Sequence, residues 1–237
     1  MKTASFIIDE LQSVASTEKA AHLSRFFKTG PGEYGEGDRF LGIPVPLTRN
    51  IAKANIDTPL EELQILLHSP WHEARLCALL ILVERFKKKK TTDEERCNIY
   101  QFYLKNTRHC NNWDLVDLSC PTIVGGYLLH QPDHSLLYRL AESDNLWEQR
   151  IAIVSTIALI RHDQFDDTFA LSRKLMNHKH DLMHKAVGWM LREIGKRNRD
   201  VLTDFLDEYA TRLPRTALRY AIEHYPEEER QAFLQKK

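Results

Sequence analysis

Apolar residues recur three and four positions apart along most of the chain. Leu76, Leu79, Leu80 and Val83 form one such stripe, and Leu115, Leu118 and Ile123 a second. Ile151, Ile153, Val154 and Ile157 form a third, and Val187, Met190 and Leu191 a fourth. That spacing gathers apolar side chains on one face of an α-helix. No segment alternates apolar and polar residues between turn signals, so no strand is expected. Helix starts carry their own marks. Thr58-Pro59-Leu60-Glu61 reads as an N-cap, a proline at the first helical position and a capping-box acid. Ser69-Pro70 repeats the cap-then-proline order before Trp71, and Thr92 with Glu95 forms another capping box. The pattern predicts roughly a dozen helices of about 10–18 residues each.

A longer period runs above the helical one. Trp71-His-Glu-Ala-Arg75, Trp113-Asp-Leu-Val-Asp117, Trp147-Glu-Gln-Arg150 and His184-Lys185 through Trp189 each open or occupy a helix. Anchored on Arg75, Asp114, Arg150 and Trp189, the intervals are 39, 36 and 39 residues. A period near 40 fits HEAT-like helical pairs, which stack because no single pair can bury its apolar face. The expected fold is an all-α helical-repeat solenoid whose inner helices line a concave groove. We read the chain as one such domain over residues 1–237, with N-terminal helices and a glycine-rich loop in 1–46 and repeats in 47–237.

The loop interrupts the helical pattern. Five of the nine glycines fall between Gly30 and Gly42. The segment has the glycine content of a phosphate loop without GxxxxGK[ST] spacing or a preceding strand, so it reads as a structured connection. Composition is that of a globular protein, 43% hydrophobic and 28% charged, and no apolar run of about 18 residues suggests a membrane span. The N-terminal apolar stretch is short and acids follow it, so it reads as a helix of the mature protein. Cys77, Cys97, Cys110 and Cys120 include no CxxC pair, and reduced buried thiols in a cytoplasmic protein are expected. Formal net charge is +0, yet residues 171–200 hold eight Lys or Arg against three acids. A basic face on a neutral protein follows.

Candidate chemistry concentrates where the repeats begin. Trp113 and Asp117 stand one helical turn apart and share a face, whereas Asp114 lies about 100° round and suits a cap or the helix dipole. Trp147 with Arg150, and Trp189 with Arg192, put an aromatic three residues from a cation. Core tryptophans and surface acids produce the same spacing, so pattern alone leaves catalytic and structural roles open. His178, His180 and His184 lack the glutamate of a HExxH zinc site and an evident third ligand, so no metal is expected.

The segments NNWDLVD (111–117), NLWEQRIAIVST (145–156), KAVGWMLREIGK (185–196) and PRTALRYAIEHYP (214–226) resemble the AlkD-type DNA alkylation repair proteins. FFKTGPGEYGEGDRFLGIPVP (26–46) resembles their N-terminal region. The resemblance covers nearly the whole chain. It implies a HEAT-like solenoid with a basic groove, acting as a monofunctional DNA glycosylase on N3- and N7-alkylated purines without a cofactor. It matches Trp113 and Trp189 to the family's groove tryptophans, Asp117 to its catalytic aspartate and Arg150 to its groove arginine. Asn112 stands where some members carry a second tryptophan. Double-stranded DNA is the implied partner of a monomer, with Arg150 as a contact, and Lys185, Arg192, Lys196 and Arg197 of the basic run 171–200 are read as further contacts. A non-catalytic protein recognising distorted duplexes and a protein-interaction scaffold are the rival readings.

Overall fold

The computed structural model describes residues 2–236. Among them the fold is all-α, as the apolar spacing predicts, and the sole β-type pairing is an isolated bridge between Arg39 and Trp71. Helices arise where the sequence supplies an apolar stripe, and several also begin at a side chain that accepts one of the first free N–H groups. The chain divides into two compact units at Ile123 and Val124.

The N-terminal unit holds α1 (Ala4–Ser13), α2 (Thr17–Phe26), α3 (Val45–Ala54), α4 (Leu60–Leu67), α5 (His72–Lys87), α6 (Asp93–Lys105) and α7 (Trp113–Cys120). Helix α5 is its axis. Every residue from His72 to Val83 is buried, and α3, α4, α6 and α7 all pack on it. A helix buried all round is a core helix, and the polar groups it carries, His72, Glu73 and Arg75, must be satisfied internally. The capping box of Thr92 and Glu95 forms in full at the start of α6. Two expected starts shift. Thr58 donates its hydroxyl to the Asn55 carbonyl at 2.7 Å, and Pro59 takes the cap position of α4. Ser69 accepts from the Trp71 amide at 3.2 Å, so Trp71 rather than Ser69 caps α5. In both cases the hydroxyl satisfies the turn before the helix.

The C-terminal unit holds α8 (Gly126–Leu128), α9 (Ser135–Ala141), α10 (Leu146–Ser155), α11 (Ile157–Ile160), α12 (Asp166–Leu175), α13 (Asp181–Arg197), α14 (Arg199–Tyr209), α15 (Arg215–Ala221) and α16 (Glu227–Gln235). Here α13 is the axis, packed against α10, α12, α14 and α15. Gly188 sets the α13–α15 distance: a Cβ there would stand 2.5 Å from the Ala217 carbonyl oxygen. Ile151, Val154, Leu171, Val187, Met190, Leu191 and Leu218 form this unit's core. No helix among the described residues is long and apolar enough to cross a membrane.

Candidate functional site

The glycine-rich segment between α2 and α3 is ordered by one buried carboxylate. Glu73, in the first turn of α5, accepts the amides of Leu41 at 2.8 Å, Gly42 at 2.8 Å and Ile43 at 3.1 Å. Three N–H donors converging on a carboxylate compensate its loss of water. Gly42 makes the approach feasible. Its φ is +81°, and a Cβ would lie 2.2 Å from the Ser16 carbonyl oxygen. The chain's densest run of glycine is therefore a built wall.

That wall carries Asp38 into an ionic network with α5 and α7. His72 sits between two carboxylates, with Nδ1 3.0 Å from Asp38 Oδ2 and Nε2 2.8 Å from Asp114 Oδ2. Ionised carboxylates only accept, so both ring nitrogens must donate and the ring is an imidazolium. Arg75 donates to the other oxygen of Asp38 and, at 2.8 Å, to the Ser69 carbonyl. Asn112 donates to Asp38 at 3.3 Å while its own oxygen caps α7 through the Trp113 amide at 2.9 Å. Asp114 also accepts the Leu115 amide at 2.9 Å, in keeping with the capping role its position suggests. Two cations thus face two anions in a group whose His72 and Asp38 side chains are 2% exposed. Burial opposes the charge on His72, but the hydrogen bond and charge of Asp114, then those of Asp38, outweigh it and raise its pKa to about 9. Burial likewise opposes the charge on Asp38, and the His72 and Arg75 contacts hold its carboxyl below the usual range.

Against this network lies a cavity of about 400 Å³. Its walls are mostly aromatic and aliphatic: Phe26, Phe27, Phe40, Ile43, Leu76 and Trp113 among them. Phe27 stacks on Trp113 at 5.2 Å and on Phe40 at 5.0 Å, and Phe40 stacks on the His72 ring at 4.5 Å. Phe26 stands at the edge, 57% exposed and edge-on to Trp113 at 6.0 Å. Asp114 and Asp117 bring carboxylates to the same cavity. Trp113 and Asp117 therefore do share one lined space, as their spacing predicts. Sequence reasoning missed Phe26, Phe27, Phe40, Asp38 and His72. An aromatic pair just before a glycine-rich loop was the available signal for the first two. His72 was visible only as a letter in the repeat start.

The remaining candidates lie in the C-terminal unit. Trp189 is half-buried on α13. Arg150 is 5% exposed on α10 and donates to the Leu182 carbonyl at 2.6 Å. The candidate surface cations all pair with acids. Lys185 meets Asp181 at 2.8 Å, Lys196 meets Glu193 at 2.7 Å, Arg197 meets Asp163 at 2.8 Å, and Arg192 pairs with Glu223. The positive charge of these residues is thus compensated by acids on the same and neighbouring segments. The three histidines gather at α13's start: His180 accepts the Leu182 amide as its cap, His178 bonds Gln149 at 2.8 Å, and His184 reaches the His178 carbonyl at 2.5 Å.

Fold and site together define an all-helical protein with a carboxylate-bearing aromatic cavity. A family model described as DNA alkylation repair enzyme matches residues 7–225, and the chain belongs to that family. A solved structure described as a predicted DNA alkylation repair enzyme from Enterococcus faecalis has the same fold. It superposes with a TM-score of 0.67 at 19% identity, covering 90% of this chain and 97% of that one. Comparison with the curated proteins finds no significant match.

Proposed function

We propose that this protein is a monofunctional DNA glycosylase that hydrolyses the N-glycosidic bond of cationic N3- and N7-alkylated purines in duplex DNA. The observation that carries the reading is the meeting of Trp113 and Asp117 on one aromatic-walled cavity. An alkylated cationic purine leaves as a neutral base, so no general acid has to protonate it. The sugar left behind has oxocarbenium character. A carboxylate in apolar surroundings stabilises that charge more strongly than one in water, and it can also orient the attacking water. Asp117 is assigned this role. Aromatic faces add about 0.5–2 kcal/mol each to a neighbouring cation. Trp113 supplies such a face. Arg150, Lys185, Arg192, Lys196 and Arg197 are assigned to the DNA. Surface ion pairs are worth little, so the acids beside the four surface cations can exchange for phosphates.

The test is single-turnover release of free base from a duplex containing N7-methylguanine. Asp117→Asn keeps the side chain's shape and removes its charge. Release is expected to fall by roughly 10²–10³, with duplex affinity little changed. Trp113→Ala is expected to lose less. Release at the wild-type rate by Asp117→Asn would remove Asp117 from the mechanism. Binding of duplex without release by the wild-type protein would favour the non-catalytic reading.

A further inference from the structure

We propose that His72 is a positioning residue for this site: donating from both ring nitrogens, to Asp38 and to Asp114, it fixes the first turn of α7 and so places Trp113 and Asp117 in the cavity. The proposal rests on the reading of Asp117 as the group that acts on the substrate.

Helix α7 has only eight residues. A helix so short has no stability of its own and takes its position from tertiary contacts. Its start is held by three polar ties. Asn112 caps it, Asn112 also donates to Asp38, and Asp114 faces His72. Two of the three end on the carboxylate–imidazolium–carboxylate chain whose middle member is His72. Asp117 follows Asp114 by three residues, so any change in the azimuth of the first turn moves its carboxylate too. A second path runs through the rings. Phe27 lies 5.2 Å from the His72 ring and stacks on Trp113 at the same distance. His72 therefore touches both members of the Trp113–Asp117 pair at one remove and has no remaining N–H for a ligand.

The charged groups facing His72 are few. The glycine-rich wall brings Asp38, and α7 brings Asp114, with Asp117 on the same cavity. On its own helix, Glu73 is taken up by the wall's amides and Arg75 by Asp38. The neighbouring rings are Phe27 and Phe40. Loss of the ring proton from either nitrogen would leave one buried carboxylate without its donor and break the Asp38–His72–Asp114 chain that links the wall to α7. The raised pKa of about 9 places that event above neutral pH.

The experiment compares wild type, His72→Gln and Asp114→Asn, each checked for a cooperative melt. Single-turnover base release from the N7-methylguanine duplex is followed from pH 6.5 to 10, with duplex affinity measured in parallel. Rates are taken relative to spontaneous release from the same duplex at each pH, because N7-methylguanine itself loses its N1 proton on the alkaline side. Wild type is expected to lose relative rate with a midpoint near pH 9. His72→Gln is expected to bind duplex within about threefold of wild type, release base about tenfold more slowly and show no limb in relative rate. Asp114→Asn, lacking one of the charges that raise the His72 pKa, is expected to move the limb to lower pH. Wild-type rate with an unchanged limb in His72→Gln, or an unmoved limb in Asp114→Asn, would overturn the proposal. Nitrogen-15 NMR of the unliganded protein reads the same claim without catalysis. The Trp113 indole resonance is expected to shift with the same midpoint as the His72 ring. A Trp113 signal indifferent to that titration would overturn the proposal even if the protein released no base. Coupled shifts without base release would instead reject only the glycosylase reading.

Discussion

Four ionised side chains, His72, Arg75, Asp38 and Asp114, are buried together in the N-terminal unit, and their mutual satisfaction ties stability to pH. The folded pKa of His72, about 9, lies above the 6.5 of a free imidazole. Its contribution is therefore complete below pH 6.5 and is lost as pH rises through about 9. A shift of that size is linked to about 3 kcal/mol. Asp38 has the opposite sign: its lowered pKa gives stability that is present above the ordinary carboxylate range and lost in acid. Urea unfolding from pH 6 to 10 is expected to show the midpoint falling on the alkaline side, and His72→Gln is expected to flatten that fall. An unchanged slope in the variant would assign the alkaline loss to other groups. Residue identity in the sequence could not announce this network. Asp38 and Asp114 lie 34 and 42 positions from His72, and the apolar pattern says nothing of buried polar pairs.

Elements were easier to read than their edges. Apolar spacing located α5, α7, α10 and α13, because a helix buries its stripe whatever caps it. Thr92 worked as a cap because Glu95 reciprocates, whereas Thr58 and Ser69 found nearer partners and their helices began further on. Asn112 proves to be the cap of α7. Close approach between elements was not legible at all. Gly42 and Gly188 look alike in sequence, yet the first has φ +81° with a backbone oxygen 2.2 Å from where its Cβ would stand. The second is helical and touches α15. Gly42→Ala is expected to cost about 3 kcal/mol or more, from strain and overlap together, and Gly188→Ala about 1–3 kcal/mol from overlap alone. Thermal or urea unfolding measures both, and equal losses would reject the strain at Gly42.

Across the whole chain, positive and negative charges balance, and the surface cations assigned to DNA are each beside an acid. Affinity for duplex would then reflect exchange of protein carboxylates for phosphates. Arg192→Glu with Lys196→Glu is expected to weaken binding across sequences and to flatten its salt dependence by about 0.9 for each phosphate no longer neutralised. Glu193→Gln with Glu223→Gln is expected to tighten binding. A salt slope unchanged by both pairs would place the DNA footprint elsewhere. The local excess of Lys and Arg was evident in sequence, but its partners in other segments were not, because charge pairing across thirty residues follows from the fold alone.

The clamp on the glycine-rich wall also sets an order of events during synthesis. Leu41, Gly42 and Ile43 wait for Glu73, about thirty residues behind them, and Asp38 waits for Asn112, 74 residues behind. A growing chain emerges N-terminus first, so residues 38–43 leave the ribosome before Glu73 and Asn112 exist to bind them. The wall that lines the site is therefore made before the segments that hold its carboxylate and amides in place.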